Sequence, residues 1–188
     1  MRSTLLVLIA ILPLAQGCAP LVVGGAAATG VMVAQDRRTV GTMTEDEGIE
    51  QRASSRLRER FGDTAYVSVT SYNRTVLLTG QAPDEKARAE AERIARGVEN
   101  VRGVYNELAI AGVSTFSNRS NDSVITSKVK GRFIDANKFN ILHVKVVTEG
   151  GVVYLMGMVK KQEASDATDI ARTTSGVQKV VGVFEYLD

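Results

Sequence analysis

Apolar residues recur along this chain with two different periods. Ile49, Ala53 and Leu57 fall at four-residue steps while Glu50, Arg56 and Arg60 lie off that stripe, which predicts a helix with one buried face. Residues 66–70 then alternate with period two, and residues 75–79 give a second extended run, so a strand pair follows the helix. Asn73-Arg74 stands between the two runs as a tight turn, because Asn tolerates φ > 0, and Gly150-Gly151 fills the matching place later. Pro83 suits the first turn of a second helix, Asp84 and Glu85 favour its positive end, and Gly97 stops it. Val104 to Ile110 supplies a last strand. The predicted order is helix, strand, strand, helix, strand.

That order occurs twice. Ile49, Ala53 and Leu57 recur as Ile125, Val129 and Phe133, and Ile94, Val101 and Val104 recur at the same interval as Ile170, Val177 and Val180. The strand 76–80, ending in Gly80, returns as 153–157, ending in Gly157, with a slip of a single position. Matching spacing along three separate elements marks a tandem of two similar units. The second runs from Asp122 to Leu187, and the turn-rich stretch from Gly112 to Ser120 joins them.

The two first helices carry different outer faces. The helix from Asp122 to about Ile134, with Asn121 or Asp122 placed to cap it, turns Ile125, Val129 and Phe133 to the core. This leaves Val124, Ser127, Lys128, Gly131 and Ile134 on another face, with Lys130 and Arg132 beside it. Apolar ends around a basic middle suit an anionic lipid surface, where each Lys or Arg contributes ~1 kcal/mol. Completion of the core, or a contact between the units, is the other use for Val124 and Ile134. The earlier helix mixes signs through Glu50, Arg52, Glu59 and Arg60 and offers no such attraction.

Upstream of the repeat, Arg2, an apolar run to Leu12, and the small residues Ala15 and Gly17 before Cys18 have the layout of a secretory signal peptide. An apolar run of about a dozen residues is too short to cross ~30 Å of hydrocarbon. Cys18 is the chain's one cysteine, so no intramolecular disulfide explains it. The segment resembles the bacterial lipobox, whose cysteine is acylated and becomes the first mature residue, although Ala15 stands where that motif usually has Leu. By the same resemblance Ala19, in place of Asp, points to the outer membrane. Residues 19–34 read as a membrane-proximal tether, and 36–46 as either a spacer or a strap packed on the first unit.

Composition excludes more than it selects. Of 188 residues, 23 are Lys or Arg and 21 Asp or Glu, and loss of Arg2 with the signal leaves a net of about +1. That balance does not favour bulk nucleic-acid binding. His143 is the sole histidine, so it reads as an exposed strand residue and not a metal ligand. Gly24-Gly25 and Gly150-Gly151 lack the lysine and spacing of phosphate loops. No nucleophile with a base partner is identifiable. The expectation is a protein that is not an enzyme, with no cofactor and no metal.

The repeated order, Gly80 and Gly157, and the closing segments Asn100-Val101-Arg102-Gly103-Val104 and Gly176-Val177-Gln178-Lys179-Val180 resemble BON domains. The whole layout is similar to the dual BON-domain outer-membrane lipoproteins of Gram-negative bacteria. The fold class implied is α+β: two tandem domains, each α-β-β-α-β, with a three-stranded mixed sheet packed on two helices. The expected divisions are a signal at 1–17, an acylated N-terminus and tether at 18–45, domains at 46–112 and 121–188, and a linker at 113–120. The resemblance implies a periplasm-facing lipoprotein on the inner leaflet of the outer membrane that supports envelope integrity, with envelope or division-site proteins as candidate partners. It implies binding of anionic phospholipid, chiefly phosphatidylglycerol, through the first helix of the second domain. Where family members carry Trp early in that helix, this chain has Val124, and Phe139 in the following loop is a candidate to share the contact. An envelope protein-interaction scaffold with incidental lipid contact is the alternative function.

Overall fold

The computed structural model describes residues 35–112 and 116–187. The first unit comprises α1 (Val40–Phe61), β1 (Tyr66–Tyr72), β2 (Thr75–Ala82), α2 (Glu85–Arg96), β3 (Gly103–Asn106) and β4 (Ala109–Ile110). The second comprises α3 (Phe116–Ala136), β5 (Val144–Glu149), β6 (Val152–Val159), α4 (Lys161–Arg172) and β7 (Lys179–Tyr186). Each β-hairpin is antiparallel and the strand after the second helix returns parallel, giving the orders β1-β2-β3 and β5-β6-β7. β3 and β4 both pair with β2, so one strand is interrupted where the second unit's β7 runs unbroken. The fold is α+β, as expected.

Both hairpins turn on two residues with positive φ, Asn73-Arg74 and Gly150-Gly151. A buried aspartate from the preceding helix pins each turn. Asp46 accepts from the Asn73 and Arg74 amides at 2.9 and 2.7 Å and from Ser71 Oγ at 2.7 Å. Asp122, its counterpart in the second unit, accepts from the Gly150 and Gly151 amides, each at 2.8 Å. This corrects the expected capping role: α3 starts at Phe116, within the segment taken as linker, and Asp122 lies inside the helix. The first helix likewise starts earlier, at Val40, capped by Thr39 Oγ1 on the Thr42 amide. The strand-ending glycines are required by close approach, since a β-carbon at Gly157 would overlap the His143 carbonyl and one at Gly80 that of Tyr66.

Each unit has its own core between helices and sheet, built on Ile49, Leu57, Val76 and Leu78 in the first and Ile125, Phe133, Val153 and Leu155 in the second. A third core lies between the two sheets, where Tyr72 and Leu77 meet Tyr154, Met156 and Val183. The layers are therefore helix, sheet, sheet, helix, and both helix layers face outward. Burial pushes the Tyr154 phenol up to about 12. Polar pairs border this seam: Lys145 Nζ with Glu50 Oε1 at 2.9 Å, and Gln81 Nε2 donating to Glu149 at 3.0 Å.

The segment before α1 is a strap on both units. Arg37 forks onto Glu163 at 2.6 and 2.9 Å and donates to the Met158 carbonyl at 2.7 Å. Arg38 bonds Asp36 and Asp46 and lies 4.0 Å above the Tyr72 ring. Of the two sequence readings, spacer or strap, the second holds, and it extends beyond the first unit.

Candidate functional site: the outer face of the second unit's first helix

The α3 core stripe is fixed by Ile125, Val129 and Phe133, each no more than 1% exposed. At 100° per residue, Val124, Ser127, Gly131 and Ile134 lie on the opposite side of the helix, with Lys128 at its margin. Val124 is 50% exposed and Ile134 64%, which removes the reading that they complete a core or join the two units. Ser127 and Lys128 are exposed as well, although the Ser127 hydroxyl donates back to the Ser123 carbonyl at 2.9 Å. Gly131 is half-buried, and open space surrounds the position a β-carbon would take there. The five residues thus form one stripe about 15 Å long between its apolar ends.

The cations nearby have separate duties. Lys128 and Lys130 make no ion pair among the described residues. Arg132 instead donates to the Ile170 carbonyl and Thr174 Oγ1, both at 3.0 Å, tying α3 to the end of α4. Lys138 pairs with Asp166 at 2.7 Å, which raises its own pKa through that hydrogen bond. Asp135, next to Ile134 and exposed on the same stripe, carries the opposing charge. The sequence reading omitted it, though helical spacing alone places it there.

Two further expectations are corrected. Phe139 is not free for lipid: it packs edge-on against Phe133 with ring centroids 5.0 Å apart. His143 is not an exposed strand residue; it sits in the turn Ile141–His143 with a side chain 14% exposed. Cys18 and the tether lie outside the described residues.

The internal repeat isolates what is special about α3. At the equivalent positions of the first unit, α1 carries Gly48, Gln51, Arg52, Ser55 and Arg58 where α3 carries Val124, Ser127, Lys128, Gly131 and Ile134. Arg52 is paired with Glu45 at 2.6 Å. The shared fold therefore does not require an apolar-tipped, unpaired basic stripe. Among the described residues no cluster of three or more His, Cys, Asp or Glu side chains is placed to hold a metal, and no helix is long and apolar enough to cross a membrane.

Comparison with known proteins gives a consistent result. The BON domain family is matched twice, over residues 45–112 and 121–188. The chain is 39% identical over 175 residues to the outer membrane lipoprotein DolP of Haemophilus influenzae, covering 92% of this chain and 90% of that protein. It is 35% identical to the 21 kDa hemolysin of Actinobacillus pleuropneumoniae, over 81% of this chain and 79% of the hemolysin. It is 30% identical to the osmotically-inducible protein Y of Escherichia coli, over 80% and 77% respectively.

Proposed function

Because the chain belongs to the BON-domain family and carries two copies of that domain, we propose that it is a non-enzymatic lipoprotein of the outer membrane. In this reading Cys18 carries the acyl anchor, the domains face the periplasm, and α3 binds anionic phospholipid, phosphatidylglycerol foremost, in support of envelope integrity. The observation that carries it is the contrast between α3 and α1. Two helices built on one core pattern differ at their outer faces, and the later one exposes Val124 and Ile134 around the unpaired Lys128. Exposed apolar tips insert at the headgroup boundary, and unpaired lysines meet the phosphates. Val124 offers less area than an indole, so the contact is weak alone. The anchor compensates, because tethering raises the effective concentration of membrane to the millimolar range. The relatedness to an outer membrane lipoprotein supports the location.

The test uses the chain from Ala19 onward without acylation, which keeps every described residue and prevents the anchor from masking weak binding. Amide NMR shifts are followed on titration with phosphatidylglycerol micelles and, separately, zwitterionic ones. Shifts confined to Ser123–Ile134 with anionic lipid alone are expected. Equal shifts with both lipids, or none on α3, would refute the lipid reading and favour a protein-binding scaffold.

A further inference from the structure

His143, the chain's single histidine, lies where the strap crosses the second unit. Its Nε2 is 3.2 Å from the Gln35 carbonyl oxygen and its Nδ1 is 3.5 Å from Glu163 Oε1. Nδ1 is buried and has no hydrogen-bond partner among the described residues. Both ring nitrogens therefore face groups that only accept. A neutral imidazole carries one N–H, so it satisfies one acceptor and turns a lone pair toward the other. An imidazolium donates to both.

We propose that His143 makes the strap an acid-strengthened latch: the protonated ring binds the Glu163 carboxylate and the Gln35 carbonyl together, holding residues 35–38 on the second unit more firmly at pH 5.5 than at pH 8. Imidazole is the side chain that ordinarily changes charge in this interval. The charged groups facing it have opposing effects. Arg37, on the same Glu163 carboxylate, disfavours a second cation. Glu163 from α4 and Asp36 from the strap favour it, and His143 in turn helps lower the pKa of both, while Arg38, bonded to Asp36 at 2.9 Å, offsets that second acid. On the remaining side Tyr72 of β1 contributes only a neutral hydroxyl, 3.5 Å from the His143 carbonyl oxygen. Asn140 Nδ2, donating to Gln35 Oε1 at 3.2 Å, adds an uncharged contact that pH leaves alone. The sign rests on the geometry, since both ring nitrogens face acceptors and only the protonated ring donates to both. The latch would let external acidity set how tightly the segment leading from the N-terminus is held to the folded units.

Hydrogen–deuterium exchange of the strap tests this in the mature full-length chain, with rates corrected for the intrinsic pH dependence of exchange. Protection of residues 35–42 should rise at least threefold from pH 8 to pH 5.5, while β2 amides in the core stay level. His143→Gln and Glu163→Gln should each abolish the rise. A flat profile in the unaltered chain would overturn the proposal without any variant, and so would a full rise in His143→Gln. Neither outcome bears on lipid binding by α3.

Discussion

Reversing the charge of Lys128 gives the lipid reading its most direct test. Lys128 is exposed and unpaired among the described residues, so Lys128→Glu removes no contact from the fold. One basic residue near an anionic surface contributes ~1 kcal/mol, and reversal counts it twice, giving about 2 kcal/mol. That corresponds to roughly 30-fold weaker binding. Asp135 supplies the opposite sign on the same stripe: Asp135→Asn should tighten binding about fivefold, for ~1 kcal/mol gained. Lys86, exposed on α2 of the first unit, is the control for net charge, and Lys86→Glu should change affinity less than twofold. Sedimentation of the unacylated chain with phosphatidylglycerol vesicles at about 0.1 M salt reads all three variants, since the screening length there is about 10 Å. Raising salt should compress the differences, and thermal unfolding checks that each variant folds. Equal weakening by Lys128→Glu and Lys86→Glu would mean that net charge alone is sensed, and α3 would lose its claim.

Other expectations concern the scaffold. Asp122→Ala leaves the buried Gly151 amide and the exposed Gly150 amide without their acceptor, and should cost about 2–4 kcal/mol in urea unfolding; a loss below about 0.5 kcal/mol would show that the turn holds itself. Gly131→Ala meets open space in the middle of a helix, so it should add about 1 kcal/mol and raise Tm by a few degrees, with no gain counting against this account. Burial would push the Glu163 carboxyl up, but the Arg37 fork and the Lys160 amide hold it down at about 2. Its stabilising effect is therefore complete above the ordinary carboxylate range and is lost as pH falls from 4.5 toward about 2. Exchange in the strap, corrected for its intrinsic pH dependence, should lose protection over that fall, and unchanged protection would remove the ion pair from the account.

Much of the fold was legible because both units bury the same kind of stripe. Four-residue steps located the cores of α1 and α3, and the period-two runs located the hairpins, since core packing leaves little freedom at those positions. What escaped the reading was polar and long-range. Nothing in the spacing of Asp46 or Asp122 says that their carboxylates reach past the rest of the helix and a whole strand to the hairpin turn beyond, and an aspartate before a helical stripe looks like a cap. The Arg37–Glu163 fork joins the strap to the far unit and could not be read locally. His143 was misplaced for a related reason: its neighbours alternate like a strand, yet the chain makes a turn there to bring Asn140 and His143 to the strap. Within the α3 stripe, helical period alone placed all five residues away from the core, and the same period would have exposed Asp135.

The layering explains why the two repeats were free to diverge on one face only. Each sheet is covered on one side by its own helices and on the other by the partner sheet, so Leu77 and Tyr154 are held between the sheets and Val76, Leu78, Val153 and Leu155 under the helices. The outward faces of α1 and α3 bear no such constraint, and a substitution there changes surface chemistry at little cost to the fold. In α1 that freedom goes to internal pairing, with Arg52 on Glu45 at 2.6 Å. In α3 it leaves Lys128 and Lys130 without an ion pair among the described residues and places a bare Gly131 between apolar ends. Removing the tips without altering charge separates the two contributions. Val124→Gln with Ile134→Gln takes away both exposed apolar side chains while the buried stripe stays intact. If the stripe is the lipid site, that double variant should fold normally, keep Lys128, and lose the response to phosphatidylglycerol. If binding persists, lysine charge alone suffices and the apolar tips serve something else.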